Sequence, residues 1–362
     1  MRVLIAGGGS GGHLYPGIAV ARELARRVPE AEVSFVGTVS GIESRVVPSE
    51  GFALDLIRSQ GLKGKSIAAL LGGLWLLPKS ALDAWRVVSA RQPALVIGVG
   101  GYSSGPTVLV AALRRVPTLL MEQNAMPGLT NRLLARLVDA AAVTYEESLP
   151  FFRGKGFVSG NPVRPEFERR AAAAEPARRP PSGTARVLVF GGSQGAHAIN
   201  VAMVEAAPRL VASAPGVTIT HQTGERDLEM VREAYREAGQ EARVEPFLHS
   251  MDREMGTADV VVSRAGATTL AELAAAARPA ILVPLPTATD DHQRRNAVAF
   301  VTAGAAVMVD QRELTGDRLA AEILGLALDG HRRRALGEGA HRLARPDAAQ
   351  VVVDRALTLA GR

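Results

Sequence analysis

One short pattern occurs twice in this chain. RVLIAGGGSGGH, Arg2–His13, and RVLVFGGSQGAH, Arg186–His197, each run an apolar strand into a glycine cluster that ends on a histidine. Apolar β-branched runs then alternate with Ala/Leu/Arg-rich helical stretches. Val3–Ala6, Glu32–Val36, Ala94–Gly98, Thr118–Met121 and Ala140–Val143 read as strands in the first half. Val187–Phe190, Val217–Gln222, Arg243–Pro246, Val260–Ser263, Ala280–Pro284 and Ala306–Val309 do so in the second. Short strands that are apolar throughout need helices on both faces, which means parallel, doubly wound α/β sheets. A chain of 362 residues exceeds what one core usually serves. The expectation is two Rossmann-like α/β domains, 1–164 and 186–346, facing a cleft lined by the carboxyl ends of both sheets. The Ala/Arg/Pro-rich stretch 165–185 follows the turn segment Asn161-Pro162-Val163-Arg164 and reads as a linker.

Gly7, Gly9 and Gly12 satisfy G-x-G-x-x-G after a strand. A dinucleotide site also needs an acidic residue at the end of the second strand. That strand ends Phe35-Val36-Gly37-Thr38, without one, so NAD is disfavoured. A P-loop fails as well, because His13-Leu14 stands where Lys-Ser/Thr is required. Two readings remain. The glycines either let the backbone and the following helix N-terminus approach an anion, or permit tight strand–helix packing. A third cluster, Gly98–Pro106, follows another strand of the first domain and would widen an anion pocket there to the size of a diphosphate.

Composition narrows the classes further. The chain has no cysteine, which excludes disulfides and Cys-ligated zinc and fits a reducing compartment. The apolar run Val3–Ala6 is too short for a signal peptide, and no stretch reaches the ~18–20 apolar residues of a membrane span. Net charge is +6, but aromatics are few and no basic–aromatic stripe exists, so no nucleic-acid partner is expected.

Six motifs then occur in a fixed order. They are Gly8–His13 with Pro16-Gly17, Gly98–Pro106, Glu122-Gln123-Asn124, Gly160–Arg164, Gly191–Gly195 and Ser263–Glu272. As an ordered set covering essentially the whole chain, they resemble the MurG family, the bacterial peptidoglycan N-acetylglucosaminyltransferases. The resemblance implies a GT-B fold, with the C-terminal helix, 347–362, packing back on the first domain. It implies inverting transfer of GlcNAc from UDP-GlcNAc to the muramyl C4 hydroxyl of lipid I, forming lipid II. The two anion turns would then serve two diphosphates, the nucleotide's and the lipid carrier's.

The resemblance also implies site residues. Gly9, Gly100, Gly101, Tyr102 and Ser103 would face the acceptor diphosphate. Ser10, Gly11, Gly12, Asn124 and Arg164 would reach the donor from the first domain and hinge. In the second domain, Ser193 would hold the donor phosphate and the Leu248 backbone would meet uracil. Ala267, Thr268, Thr269, Leu270, Ala271 and Glu272 form the nucleotide motif, with the Glu272 carboxylate accepting both ribose hydroxyls. Gln293 would contact the sugar; the segment departs from the family by about one inserted residue, and His292 competes for that role. His13 is the candidate base for the attacking hydroxyl, or a structural cap of its helix, and Glu122 is the alternative base. Charge on the leaving UDP would be met by a helix terminus, so no metal or other cofactor is expected. Asp252-x-Glu254 has metal-pair spacing but reads as a solvated helix start.

Lys63 and Lys65 precede an apolar stripe, Ile67, Leu70, Leu71, Leu74 and Trp75, and Lys79, Trp85 and Arg86 follow it. Three of the four lysines lie here. The stripe either packs on the first domain's sheet or anchors the chain on an anionic membrane surface, as the lipid acceptor implies. The implied location is peripheral, on the cytoplasmic face of the inner membrane. Two enzyme alternatives share the fold logic, UDP-GlcNAc 2-epimerases and glycolipid synthases. Neither accounts for the Gly98–Pro106 turn. A non-enzymatic nucleotide-sugar binding module would need neither a base nor a second anion site.

Overall fold

The computed structural model describes residues 1–59, 67–164, 166–167, 184–192 and 194–361, with the backbone course alone over 67–77. The chain divides into two compact units, Met1–Arg164 with Arg345–Arg362, and Pro165–Ala344.

Unit 1 holds β1 (Arg2–Gly7), β2 (Glu32–Gly37), β3 (Ala53–Leu56), β4 (Leu95–Gly100), β5 (Thr118–Glu122), β6 (Ala140–Val143) and β7 (Gly156–Val158). They form one parallel sheet in the order β3-β2-β1-β4-β5-β6-β7. Its helices are α1 (Gly11–Arg27), α2 (Glu43–Ser49), α3 (Ile67–Arg91), α4 (Ser104–Leu113) and α5 (Leu129–Leu134). Alternate residues of β1 enter opposite core layers. Val3 and Ile5 pack with Leu14, Ile18 and Val352, Val353 and Ala356 of the C-terminal helix Ala348–Leu359. Leu4 and Ala6 pack with Ala84, Val88, Val108 and Leu120 on the other face. Burying both faces removes the polar alternation that a half-exposed strand would show.

Unit 2 holds β8 (Thr184–Phe190), β9 (Gly216–Gln222), β10 (Ala242–Glu245), β11 (Val260–Ser263), β12 (Ala280–Leu282) and β13 (Ala306–Met308), a parallel sheet in the order β10-β9-β8-β11-β12-β13. Its helices are α6 (His197–Ser213), α7 (Leu228–Ala238), α8 (Met251–Thr257), α9 (Ala267–Ala275), α10 (His292–Thr302), α11 (Gly316–Ala327) and α12 (Gly330–Arg342).

Each strand expected from the sequence is present. β3 and β7 are additional. Both are sheet edges whose residues are only partly buried, so neither carries the apolar run that marks the interior strands.

A buried polar chain fixes α6 against β9 and α7. The Asn200 amide nitrogen donates to the Thr223 carbonyl (2.9 Å) and to Asp227 Oδ2 (2.8 Å). Its Oδ1 must therefore accept, so the proton of His221 sits on Nε2, 3.0 Å away, and Nδ1 accepts from the Tyr235 hydroxyl at 2.8 Å. Burial pushes the His221 imidazole down to about 3, so it is neutral in the folded protein. Burial alone would raise the Asp227 carboxyl, but hydrogen bonds from His197 and Asn200 outweigh it and hold it below the usual carboxylate range.

This network makes stability pH-dependent. Unfolded, the His221 imidazole takes a proton below about pH 6.5; folded, it resists protonation until about 3. The unfolded state binds more protons across that window, so stability falls as pH drops through it, by at most ~1.4 kcal/mol per pH unit. The Asp227 contribution is present above its unfolded value and is lost only as pH falls below it. His221→Gln should cost about 1–3 kcal/mol at neutral pH by unpairing Tyr235 and Asn200. Its unfolding free energy, read from urea titrations by circular dichroism, should then decline less steeply below pH 6 than that of the wild type. Equal slopes would exclude His221 as the source.

Candidate active site

Strand order reverses between β1 and β4 in unit 1 and between β8 and β11 in unit 2. At such a reversal the connections leave to opposite sides, and a crevice opens outside the carboxyl ends of the strands. All the glycine motifs lie there. The turns β1–α1 and β4–α4 flank the reversal in unit 1, and β8–α6 and β11–α9 flank it in unit 2. The N-cap residues Ser10, Ala196 and Gly266 supply no side-chain cap to α1, α6 and α9. Among the described helix starts only those of α11 and α12 have such a cap, from Thr315 and Asp329. A helix N-terminus without its own cap suits an anion, since first-turn N–H groups and the positive dipole end both point toward it.

In unit 1 the two glycine turns are in direct contact. The Gly8 N–H donates to the Gly100 carbonyl at 3.2 Å. Gly101 has φ +83°, and a Cβ there would stand 2.2 Å from the Gly8 carbonyl oxygen. Tyr102 lies beside Gly9 and is 57% exposed, and its carbonyl accepts from Ser59 Oγ. Ser103 is buried and spends its hydroxyl on the Val36 carbonyl at 3.1 Å, so its side chain is not a diphosphate ligand. Arg164 stacks its guanidinium 4.9 Å over the Tyr15 ring, which brings it beside α1. Ser10 is exposed at the start of α1, followed by Gly11 and Gly12.

Glu43 was not singled out by the sequence. Its carboxylate is buried and accepts from Gly9 N (2.7 Å), Thr38 N (2.8 Å) and Thr38 Oγ1 (2.9 Å). The second strand therefore does end at a carboxylate, supplied from α2 rather than from the strand itself. It faces the turn's own backbone and takes the Gly9 N–H that the resemblance assigns to the acceptor diphosphate. The glycines around it, Gly8, Gly37 and Gly41, leave the space it fills. A Glu six residues past the strand, among glycines, was the available signal.

Glu122 is also fully engaged. Oε1 accepts from Asn124 N (3.0 Å) and Asn124 Nδ2 (3.3 Å), and Oε2 accepts from Gly128 N (3.0 Å) and Asn131 Nδ2 (2.8 Å). Both oxygens of this buried carboxylate are therefore turned into the chain's own donors rather than toward a ligand. Glu122 thus shapes the 124–131 loop, and the expectation that it serves as an alternative base is withdrawn. His13 projects from the first turn of α1 with Nδ1 3.2 Å from Gln123 Oε1.

In unit 2, Ser193 lies outside the described residues. The turn around it is closed by Gly195 N to Gly192 O at 2.9 Å. Gln222, at the end of β9, ties the turn to Leu248. Its Nε2 donates to Gly192 O (2.7 Å), and its Oε1 accepts from Leu248 N (3.3 Å). Within the α9 motif Ala267, Thr268, Leu270 and Glu272 are buried, and Thr269 and Ala271 are half-buried. Leu270 is wholly in the core and offers a ligand only its backbone. Glu272 is 5% exposed. Arg264 points the other way, donating to the Val283 (3.0 Å) and Pro284 (3.3 Å) carbonyls, where it braces the loop after β12. Gln293 Oε1 accepts from Leu285 N at 3.0 Å, which leaves its NH2 end to be presented. His292 donates from Nδ1 to Thr289 O at 2.6 Å and is held to its own loop. Asp290 and Asp291, just before α10, both have φ above +50°, a costly backbone for non-glycine residues.

Glu254 of the Asp252-x-Glu254 pair is bonded to Arg243 at 2.6 Å. Among the described residues no three His, Asp or Glu side chains are grouped as metal ligands. A cavity of about 420 Å³ lined by Arg2, Glu32, Ser34, Phe52 and Arg91 lies at the amino ends of β1–β3, away from the turns.

Of the stripe residues, Lys63 and Lys65 lie outside the described residues, as do the side chains of Leu71, Leu74 and Trp75. Further along α3, Ala84 and Val88 face the core, while Lys79, Leu82, Trp85 and Arg86 are exposed. The Arg114 guanidinium sits 4.8 Å over the Trp85 ring. Among the described residues no helix is long and apolar enough to cross a membrane.

Comparison with known proteins agrees with this layout. The profile of the glycosyltransferase family 28 N-terminal domain matches residues 3–143, and that of the C-terminal domain matches 186–352. A relative from Anaeromyxobacter sp. (strain Fw109-5) is 49% identical, covering 98% of this chain and 92% of its own length. One from Pelobacter propionicus is 48% identical, covering 99% of each chain. Both are named UDP-N-acetylglucosamine–N-acetylmuramyl-(pentapeptide) pyrophosphoryl-undecaprenol N-acetylglucosamine transferase. The crystal structure of Acinetobacter baumannii MurG superposes with TM-score 0.78 at 28% identity over 99% of each chain. A UDP-GlcNAc 2-epimerase from Neisseria meningitidis shares the fold alone, at TM-score 0.70 and 14% identity over 99% of this chain and 100% of its own. With two parallel α/β units consistent with a GT-B fold, and with relatives close to half identical over nearly its full length, the chain belongs to the MurG family of glycosyltransferases.

Proposed function

We propose that this chain transfers N-acetylglucosamine from UDP-N-acetylglucosamine to the muramyl C4 hydroxyl of lipid I, the polyprenyl-diphosphate muramyl-pentapeptide, with inversion at the anomeric carbon. The observation that carries the reading is the second glycine turn of unit 1. The interlocked β1 and β4 turns make a site distinct from the one in unit 2, which an acceptor diphosphate needs and an epimerase does not. The relatives' printed names agree in both substrates.

Unit 2 takes the donor. The Glu272 carboxylate accepts the ribose hydroxyls, the Leu248 carbonyl meets uracil, and the Gln293 amide nitrogen meets the sugar. The uncapped end of α6, with Ser193, faces the phosphates. As the bond from the acceptor O4 to the anomeric carbon forms, the bond to UDP breaks and its electron pair leaves on the phosphate oxygen. The O4 proton passes to His13. The charge growing on UDP is met by the α6 terminus, so the reading requires no metal or other cofactor. Because Gly9 is already bonded to Glu43, the acceptor diphosphate is left to the β4 turn, Gly100 to Tyr102, and to the first turn of α1. The protein works peripherally at the cytoplasmic face of the inner membrane, with Lys79, Trp85 and Arg86 against anionic lipid and without a nucleic-acid partner.

Radiolabel transfer from UDP-N-acetylglucosamine to a lipid I analogue should proceed in EDTA. Glu272→Ala should chiefly raise the donor KM, and His13→Ala should lower kcat by roughly 100-fold or more. Scrambling of the sugar at C2 without transfer would sink the reading. Glu43→Ala should raise the acceptor KM several-fold while leaving the donor KM within about twofold, because it frees the first turn without touching unit 2; equal effects on both would contradict the role given to the turn. Lys79→Ala with Trp85→Ala should weaken binding to phosphatidylglycerol vesicles by several-fold, at about 1 kcal/mol per surface lysine. Turnover of a short-chain soluble acceptor should stay near wild type, and unchanged vesicle binding would rule out this surface.

A further inference from the structure

Gln123 follows β5 directly and is 2% exposed. Its Nε2 donates to the Val99 carbonyl in β4 at 3.1 Å. A carbonyl only accepts, so the amide is oriented with its nitrogen toward β4 and its oxygen away from it. That oxygen lies 3.2 Å from His13 Nδ1. An amide oxygen also only accepts, so the Nδ1 of His13 carries the proton. In a neutral imidazole the other nitrogen, Nε2, is then the one with a lone pair to receive a proton. The space for this arrangement comes from Gly100, where a Cβ would stand 2.7 Å from His13 Nδ1.

Resting on the reading of His13 as the base, we propose that Gln123 is a positioning residue. It holds the imidazole in its Nδ1–H tautomer, so that Nε2 is the atom that takes the acceptor hydroxyl's proton. Triad enzymes orient a catalytic histidine with a carboxylate, and the wrong tautomer there costs orders of magnitude in rate. Here an uncharged amide does the same orienting work. That choice suits a turn that must also hold a diphosphate and already carries the Glu43 carboxylate, because it adds no further negative charge.

The test uses the full-length protein labelled with 15N-histidine, together with steady-state transfer to a lipid I analogue. In the wild type at neutral pH, the nitrogen spectrum should show His13 protonated on Nδ1, assigned by its loss in His13→Ala. Gln123→Leu should move part or all of that proton to Nε2. It should also lower kcat roughly 10- to 100-fold while the KM for UDP-N-acetylglucosamine stays within about twofold. Gln123→Glu keeps an oxygen on the Nδ1–H and should retain the tautomer, but it loses the donor to Val99 and adds a charge beside the diphosphate, so its kcat should fall as well. Adding Gln123→Leu to His13→Ala should lower kcat no further. A folded Gln123→Leu with unchanged tautomer and kcat overturns the inference while leaving His13 as the base. A wild-type proton on Nε2 overturns it without any variant. His13→Ala with full kcat removes the base assignment itself, and the inference with it.

Discussion

The backbone N–H groups at the start of an α-helix have no partner within it, and a parallel sheet delivers several such helix ends to the same edge. This chain uses that geometry twice. At the reversal point of each sheet it ends a strand in glycine and starts the next helix on a residue that offers no side-chain cap. The consequence is a crevice bordered by glycine turns in each unit. Two such crevices in one chain are what a reaction between two diphosphates requires.

Charge placement around the turns repeats one device. Three buried carboxylates near the turns are held by several donors of the chain: Glu43 by three, Glu122 by four, and Asp227 by a histidine and an amide. Burying an anion without such partners would cost several kcal/mol. Satisfied, these groups act as rigid pegs, holding loops at a defined height above the sheet. They also differ in where they sit. Glu43 bonds the glycine turn itself, whereas Asp227 stands behind its turn and grips the helix through His197 and Asn200. The two architecturally similar turns therefore present different sets of donors.

The interior strands were legible because helices on both faces force short, unbroken apolar runs such as Val96–Ile97 and Val260–Val262. The edge strands β3 and β7 were not, since partial exposure erases that signature. The glycine turns were legible as possible anion sites, and the ordered motif set identified the family. What the sequence could not show was which polar atoms the fold consumes. Ser103 and Glu122 looked available, but folding brings Val36 against Ser103 from 67 residues away and curls the loop back so that Gly128 and Asn131 meet Glu122. Glu43 looked unremarkable because its partners Gly9 and Thr38 meet it only once α2 turns back over β2. Gln123 lay in plain view in the Glu122-Gln123-Asn124 motif. Its orientation became readable only when Val99 was seen on one side and His13 on the other.

The contact between Gly8, Gly100 and Gly101 limits how this part of the protein can vary. A methyl group on Gly101 collides with the Gly8 carbonyl, and one on Gly100 collides with the His13 ring. The β4 turn cannot gain a side chain at either position unless the β1 turn or the histidine retreats. A single step at Gly100 or Gly101 is closed unless a second change first makes room for it.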